Sequence, residues 1–164
     1  TGEKPNSMAI TVLEAKSEND IRPETWEIKI LGTDISKRAL ETAGSGIYDQ
    51  YQFQENVPKD IISKYFLKGV DERKGTVKVK GFVQDMVRLR RLNFMESSYP
   101  FSKEFDVIMC RNVMIYFDEP MKQHVLSKFH RHLCNMGHLF LGHSETMIGN
   151  DNFAPVNVTV YRKK

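Results

Sequence analysis

The most regular pattern of hydrophobic residues lies between positions 105 and 145. Residues 105–109 fill with apolar side chains, which predicts a strand buried on both faces. A helix with one apolar stripe is predicted next, because apolar residues recur at every fourth position: Met121, Val125, Phe129 and Leu133. Residues 139–141 predict a second buried strand. Strand, crossover helix and strand form a βαβ unit, and ligands bind beyond the carboxyl ends of such strands.

The ends of this helix are also predicted from the sequence. Asp118 is suited to cap the N-terminus, and Pro120 is tolerated in the first turn, where the N–H groups have no intrahelical partner. Gly137 is typical of a left-handed stop after the C-terminus. The loop of residues 110–117 therefore follows the carboxyl end of the first strand and is a candidate ligand site.

The same patterns predict elements on either side of this unit. Helices are expected at residues 5–13, 37–43 and 58–66, and the glycines at 44 and 46 end the second of them. Strands are expected at residues 26–33, 76–80, 86–92, 153–156 and 158–162. Asp34 stands at the carboxyl end of the first of these strands.

Composition narrows the class of protein. The 164 residues suffice for one domain with a single core, and 40% apolar and 27% charged residues are typical of a soluble globular chain. A net charge of +3 is mild and indicates neither a nucleic-acid binder nor an acidic tail, and the local cluster of Arg88, Arg90 and Arg91 is best interpreted as a solvated strand face. Cys110 and Cys134 show no pairing pattern, which favours reduced thiols in the cytoplasm.

Two further classes of protein are disfavoured. No apolar run reaches the roughly 18 residues that a membrane span needs, and no signal peptide opens the chain. The five histidines invite a metal hypothesis, but His130 and His132 are two positions apart on a helix and point to different faces. No set of Cys and His residues has the spacing of a zinc site, so no metal site is predicted.

The segment CRNVMIYFD at residues 110–118, followed by the helix and then LFLGHSE, resembles the CheR family of S-adenosylmethionine-dependent chemotaxis receptor methyltransferases. The resemblance implies an α/β class I methyltransferase fold, a Rossmann-like, mostly parallel sheet with helices on both faces. It implies a single domain over residues 1–164 with a small antiparallel β insertion near residues 67–85. The family's N-terminal portion and first strand have no counterpart in the sequence. We therefore expect a fragment, or a chain whose missing strand another segment supplies.

Cofactor-binding roles are carried over from the resemblance. Asp34 matches the acid that holds the ribose hydroxyls, since two hydroxyl donors suit the two oxygens of a carboxylate; the alternative is a helix cap. Glu3 matches a glutamate of the family's STGEEPYS segment, from which Lys4 and Asn6 depart. Asn93 and Phe94 match the residues that flank the adenine, although Phe94 could equally be ordinary core.

The loop after residue 110 supplies the remaining predicted site residues. By resemblance, Arg111 and Asn112 contact the cofactor. Tyr116 is the predicted catalytic residue, placed near the sulfonium methyl, where its ring favours a cation and its hydroxyl orients the acceptor. The alternative for Tyr116 is a structural tyrosine beneath the following helix. We expect Glu3, Asp34, Asn93, Arg111 and Asn112 to converge on one rim.

The function implied by the resemblance is methyl transfer from S-adenosylmethionine to glutamate side chains of chemotaxis receptors, giving methyl esters. The partners would be the cytoplasmic domain of these receptors and, at the β insertion, the receptor's C-terminal peptide; a solvated hairpin without a partner is the alternative. A non-catalytic receptor-docking module remains a second hypothesis. A nucleic-acid methyltransferase is disfavoured because residues 111–114 lack the proline of an Asp/Asn-Pro-Pro-aromatic loop.

Overall fold

The computed structural model describes residues 3–19, 26–51, 57–143, 145, 147 and 150–164. The helices are α1 (Glu3–Glu18), α2 (Lys37–Ser45), α3 (Lys59–Tyr65), α4 (Gly81–Gln84) and α5 (Glu119–His132). The strands are β1 (Ile30–Asp34), β2 (Ile47–Asp49), β3 (Phe66–Lys68), β4 (Thr76–Val79), β5 (Val87–Arg91), β6 (Phe105–Cys110), β7 (Leu133–Leu141), β8 (Phe153–Asn157) and β9 (Val160–Lys163). Two compact units result, an N-terminal unit (Thr1–Asn93) and a C-terminal unit (Phe94–Lys164).

A parallel pair of strands organises the N-terminal unit. β1 and β5 run side by side from Ile30 opposite Val87 to Asp34 opposite Arg91, so both strands end at the same edge. The predicted strand at residues 26–33 starts too early. Residues 26–29 lie outside any strand, because β5 supplies pairing partners only from Ile30 onward.

Helix α1 packs directly on β1, and Gly32 permits the contact. A Cβ atom at Gly32 would lie 2.8 Å from Pro5 Cγ and 2.8 Å from Leu89 Cδ2. The N-terminus of α1 therefore lies against the half of β1 that ends on Asp34. The predicted helix is confirmed, although it extends further, to Glu18.

A second, antiparallel sheet completes the N-terminal unit in the order β2-β4-β3. Val77 and Val79 on β4 share one buried face, as their alternation predicted, and pack in a core with Tyr65 and Phe66. The predicted antiparallel insertion is thus present, and its sheet includes β2, which precedes the predicted range of 67–85.

The C-terminal unit contains a four-stranded sheet in the order β6-β7-β9-β8. β6 and β7 are parallel and joined by α5, which confirms the βαβ unit, and β8 and β9 form the expected antiparallel hairpin. Asp118 caps α5 by accepting a hydrogen bond of 3.0 Å from Met121 N–H. The prediction that β6 is buried on both faces is wrong: Val107 and Met109 are 45% and 40% exposed, because among the described strands β6 pairs with β7 alone.

The predicted end of this helix is also wrong. α5 ends at His132, Leu133 is already extended, and the left-handed conformation falls on Met136 with φ of 65°. Gly137 lies inside β7, where an added Cβ would come 2.9 Å from Cys134 O and 3.2 Å from Asp106 O. A glycine is therefore needed there for the close approach of β6 and β7, and not to stop the helix.

Two smaller expectations concern thiols and membranes. Cys110 and Cys134 are free thiols, as their spacing indicated. Across the residues that the structure describes, no helix has both the length and the apolar character to cross a bilayer.

Candidate functional site

Asp34 lies where β1 ends, next to the end of β5. Its Oδ1 accepts a hydrogen bond of 2.8 Å from Ser36 N–H, whereas the cap of α2 is Ser36, whose Oγ accepts from Ala39 N–H at 3.2 Å. The alternative that Asp34 caps this helix is therefore wrong. Within the described part of the chain Oδ2 of Asp34 has no hydrogen-bond partner, so an exposed carboxylate oxygen is available for a ligand at this edge.

Two other predicted residues belong to elements that meet at this edge. Glu3 is an exposed residue in the first turn of α1, the end that Pro5 holds against β1. Asn93 is the second residue after β5. The residue between them, Leu92, donates a hydrogen bond of 3.1 Å from its N–H to the Asp34 carbonyl. The structure thus places Glu3, Asp34 and Asn93 on elements that converge within the N-terminal unit.

The departure from the family pattern at Asn6 is accommodated in the core. Asn6 is buried, and its Nδ2 donates a hydrogen bond of 2.8 Å to Tyr48 Oη. Burial raises the pKa of Tyr48; the Asn6 hydrogen bond opposes this shift, and the negative charge of Glu3 adds to it. Glu3 therefore lies within electrostatic reach of the Asn6–Tyr48 pair, and α1 is held by a satisfied buried polar contact.

The predicted loop residues of the C-terminal unit follow β6. Arg111 and Asn112 are exposed, and Asn112 has a left-handed backbone with φ of 60°. A short 3-10 turn, Met114–Tyr116, then leads to α5. Tyr116 is 79% exposed, so the alternative of a structural tyrosine beneath the helix is wrong.

Glu145 is the residue of this edge that sequence reasoning missed. Its side chain is only 5% exposed, although the residue follows the last strand of the βαβ unit. Oε1 accepts hydrogen bonds of 2.7 Å from both Val113 N–H and Met114 N–H. Oε2 accepts from Asn112 N–H at 3.0 Å and from Gly142 N–H at 2.7 Å. The available signal was an acid three positions after a glycine at a strand end, in the segment LFLGHSE that carries the family resemblance.

These four donors decide the protonation state of Glu145. Burial alone would raise the pKa of its carboxyl, but the N–H groups of Gly142, Val113, Asn112 and Met114 together outweigh burial and hold the pKa below its usual value. The carboxylate is therefore ionised at neutral pH and connects the 111–116 loop to the end of β7.

Phe94 belongs to an aromatic cluster of the C-terminal unit. Its ring meets Phe129 edge-on at a centroid distance of 5.6 Å and lies 6.0 Å from Tyr99. Buried Lys128 donates to the carbonyls of Phe94 and Glu96 and lies 4.8 Å above the Tyr99 ring. This packing favours the alternative that Phe94 is ordinary core, and its role beside the adenine stays a prediction.

The histidines take part in packing. His132 stacks on Tyr99 at 5.9 Å, and His130 meets Phe153 edge-on at 5.6 Å. Among the residues described, no group of three or more His, Cys, Asp or Glu side chains is arranged to hold a metal ion.

Residues 1–162 match the family described as CheR methyltransferase, SAM binding domain. The chain belongs to this family. S-adenosylmethionine is accordingly the cofactor of the domain, and the predicted α/β, Rossmann-like class I methyltransferase fold agrees with the sheets and the βαβ unit seen here.

Several curated relatives are named chemotaxis protein methyltransferases. The chain is 38% identical over 163 residues to a chemotaxis protein methyltransferase of Borreliella burgdorferi, covering 99% of this chain and 55% of that protein. It is 34% identical to chemotaxis protein methyltransferase 2 of Pseudomonas aeruginosa, over 98% of this chain and 56% of the relative. The Escherichia coli chemotaxis protein methyltransferase is 37% identical over 88% of this chain and 49% of its own length. The chain thus spans about half the length of these relatives.

The described residues suit a CheR cofactor. A ribose diol offers two hydroxyl donors, and Asp34 presents an exposed carboxylate at the carboxyl end of β1, where class I folds hold nucleosides. The 111–116 loop presents Arg111, Asn112 and Tyr116 to solvent at the corresponding end of β6. That the residues of both units share one rim stays a prediction.

Proposed function

We propose that the protein methylates glutamate side chains of chemotaxis receptors, using S-adenosylmethionine and producing glutamate methyl esters. Membership of the CheR family supports the methyltransferase activity, and the names of the relatives support the link to chemotaxis. The observation that carries the proposal is the 111–116 loop, which presents an exposed Tyr116 at the carboxyl end of β6 and is held by buried Glu145.

The reaction needs little from the protein beyond alignment. The cofactor supplies a methyl group on a sulfonium; the acceptor carboxylate forms the new O–C bond as the C–S bond breaks, and a neutral thioether leaves. A glutamate side chain is already ionised at neutral pH, so no strong general base is required. Aligning the reacting atoms and removing water contributes up to about 7–11 kcal/mol.

In the N-terminal unit, we assign cofactor binding to Glu3, Asp34 and Asn93. Asp34 accepts hydrogen bonds from the ribose hydroxyls, for which its exposed carboxylate is available. The Asn93 amide recognises the edge of the adenine, and its neighbour in sequence, Phe94, the first residue of the C-terminal unit, is the residue we propose to cover the adenine face. Glu3, in the first turn of α1, adds a second carboxylate to the site beside that of Asp34.

In the C-terminal unit, Arg111 and Asn112 contact the cofactor and Tyr116 serves the reaction. The exposed ring of Tyr116 is free to face the sulfonium, since an aromatic face attracts a cation. Its hydroxyl donates a hydrogen bond to the incoming carboxylate and orients it.

The partners we propose are the cytoplasmic domain of the receptors and their C-terminal peptide, and the place of action is the cytoplasm. In the antiparallel sheet β2-β4-β3, the outer strands β2 and β3 each have a single strand neighbour among the described strands. An extended peptide can join such an edge through main-chain hydrogen bonds. Exposed Leu67 on β3 offers that peptide an apolar contact.

Methyl transfer is tested with labelled cofactor and receptor membranes, using the protein in its natural length. We expect label on the receptor that mild alkali releases, because a carboxyl methyl ester hydrolyses under those conditions. Label that resists alkali, or no label at all, would contradict the proposal.

A receptor-docking module without catalysis is the second candidate, favoured by Lys4 and by the burial of Asn6 where the family has an aromatic residue. Calorimetric titration with S-adenosylhomocysteine separates the two. Micromolar binding supports the enzyme; receptor binding without any nucleoside binding supports the module.

A further inference from the structure

The Glu145 carboxylate is enclosed by backbone N–H groups from two segments. Three donors are consecutive, at Asn112, Val113 and Met114, and the fourth is Gly142. Each carboxylate oxygen accepts two of these hydrogen bonds. An ionised acceptor with this many short hydrogen bonds is a strong anchor, because charge-assisted bonds are stronger than neutral ones.

The surrounding backbone is shaped for this carboxylate. A Cβ atom on Gly142 would lie 2.6 Å from Glu145 Oε2, so only glycine allows the side chain to approach. Asn112 holds a left-handed conformation, which asparagine tolerates better than most residues other than glycine, and which gives the loop the turn that directs its N–H groups to the carboxylate. Three donors in a row converge on one side chain only while the loop keeps this path.

We propose that Glu145 is a positioning residue, whose buried carboxylate holds residues 111–116 in the conformation that binds the nucleoside cofactor and presents Tyr116. The inference rests on the proposed function for its cofactor part. Glu145 itself touches no substrate in this scheme; it acts through the backbone of Asn112, Val113 and Met114. A purely structural role would stabilise the unit without altering how the loop serves the cofactor.

The first test reads the loop without any ligand. In the protein of natural length, Glu145→Gln keeps the size of the side chain but replaces one oxygen by an NH₂ group, which cannot accept two of the four hydrogen bonds. Amide hydrogen exchange of the peptide covering residues 111–116 should become at least about ten-fold faster. The matched control is Glu119→Gln, the same change at an exposed carboxylate bonded to Gln123 at 2.9 Å, which should exchange as wild type. Unchanged exchange in Glu145→Gln would overturn the proposal.

The second test restores the carboxylate from solution. Glu145→Ala leaves the four donors facing a small cavity, and formate has the charge and the two oxygens to fill it. Added formate should slow exchange of residues 111–116 in this variant and leave wild type unaffected, with chloride at equal ionic strength as the control. Gly142→Ala offers a second route, since its methyl group displaces the carboxylate while Glu145 remains in the chain. A Gly142→Ala loop that exchanges as wild type would count against the proposal.

The third test separates this inference from the proposed function. Calorimetry with S-adenosylhomocysteine should show an affinity at least about ten-fold weaker for Glu145→Gln than for wild type and Glu119→Gln. Formate should recover the affinity of Glu145→Ala. Faster exchange with unchanged affinity would overturn the positioning role while the proposed function stands. If wild type itself does not bind the nucleoside, the proposed function fails and the cofactor part of this inference with it, whereas loop anchoring is still judged by exchange.

Discussion

At the scale of single residues, the site is defined by which polar atoms are already occupied. Ser36 caps α2 and so leaves Asp34 one carboxylate oxygen for a ligand. Glu145 is the opposite case, since both its oxygens are taken by backbone N–H groups. Asp34 is therefore suited to bind a ligand, and Glu145 is suited to hold a loop. The sequence alone does not distinguish them, because each is an acid at or just after the end of a predicted strand.

The lowered pKa of Glu145 predicts that the free energy of unfolding falls in acid. Burial opposes ionisation, yet the four N–H donors keep the pKa of Glu145 in the folded protein below its ordinary value. The stabilisation that ionised Glu145 gives the folded protein is therefore fully present above the ordinary pKa, and it is lost as the pH falls through the folded-state pKa. Wild type should therefore lose free energy of unfolding more steeply than Glu145→Gln below about pH 4.5. Denaturant melts across this range measure the difference. Parallel curves for the two proteins, with Glu119→Gln as the reference, would show that the prediction is wrong.

Tyr116 predicts a separation between activity and stability. Because its side chain is 79% exposed, Tyr116→Phe should change the free energy of unfolding by no more than about 0.5 kcal/mol. Methyl transfer to the receptor should fall by about 10–100-fold, because the acceptor carboxylate loses the group that orients it. Tyr51→Phe is the matched control at another exposed tyrosine. Equal kcat values in the two variants would remove Tyr116 from the reaction.

At the scale of elements, the start of α5 was predicted better than its end. Asp118 fixes the start of α5 through its own side chain, so its role was legible in the sequence. The end of α5 depends on β7 pairing with β6, and this pairing draws Leu133 into a strand and moves the left-handed residue to Met136. Gly137 serves a contact between strands, which no local pattern distinguishes from a helix stop.

The packing of α1 on β1 predicts a position-specific cost for one methyl group. Gly32→Ala should destabilise the protein by about 1–3 kcal/mol, since the new Cβ would overlap Pro5 and Leu89. Gly81→Ala is the control, because no atom lies within 4 Å of a Cβ at the start of α4. Chemical denaturation of both variants tests this. Equal stability would mean that α1 moves off the strand without cost.

At the scale of the whole molecule, each unit has its own pair of parallel strands and its own candidate edge. The N-terminal unit offers Asp34 where β1 and β5 end together, and the C-terminal unit offers the 111–116 loop where β6 ends. Parallel strands make this outcome foreseeable, because their carboxyl ends share an edge. Both edges lie within residues 1–162, the part of the chain that matches the SAM binding domain of the CheR family.

Cofactor binding should therefore stabilise the folded protein. S-adenosylhomocysteine at 100 times its Kd should add about 2.7 kcal/mol to the free energy of unfolding. Asp34→Asn should reduce this gain at the same ligand concentration, because the amide keeps the shape of the side chain but not its charge. Thermal melts with and without ligand measure both effects. The same gain in Asp34→Asn as in wild type would exclude Asp34 from the nucleoside site.

The sequence by itself determined the parts of this protein that depend on local chemistry and on order along the chain. The βαβ unit and the Asp118 cap were predictable, because periodicity and capping are properties of neighbouring residues. The family motif also named Asp34, Arg111, Asn112 and Tyr116 as site residues, and their roles stay predictions. Tertiary structure alone decided which strand faces stay exposed, why Gly137 is a glycine, and that Glu145 holds the loop. Those features arise from contacts between segments up to 33 positions apart, such as Asn112 and Glu145, and the order of residues does not show which distant backbone donors will meet one carboxylate.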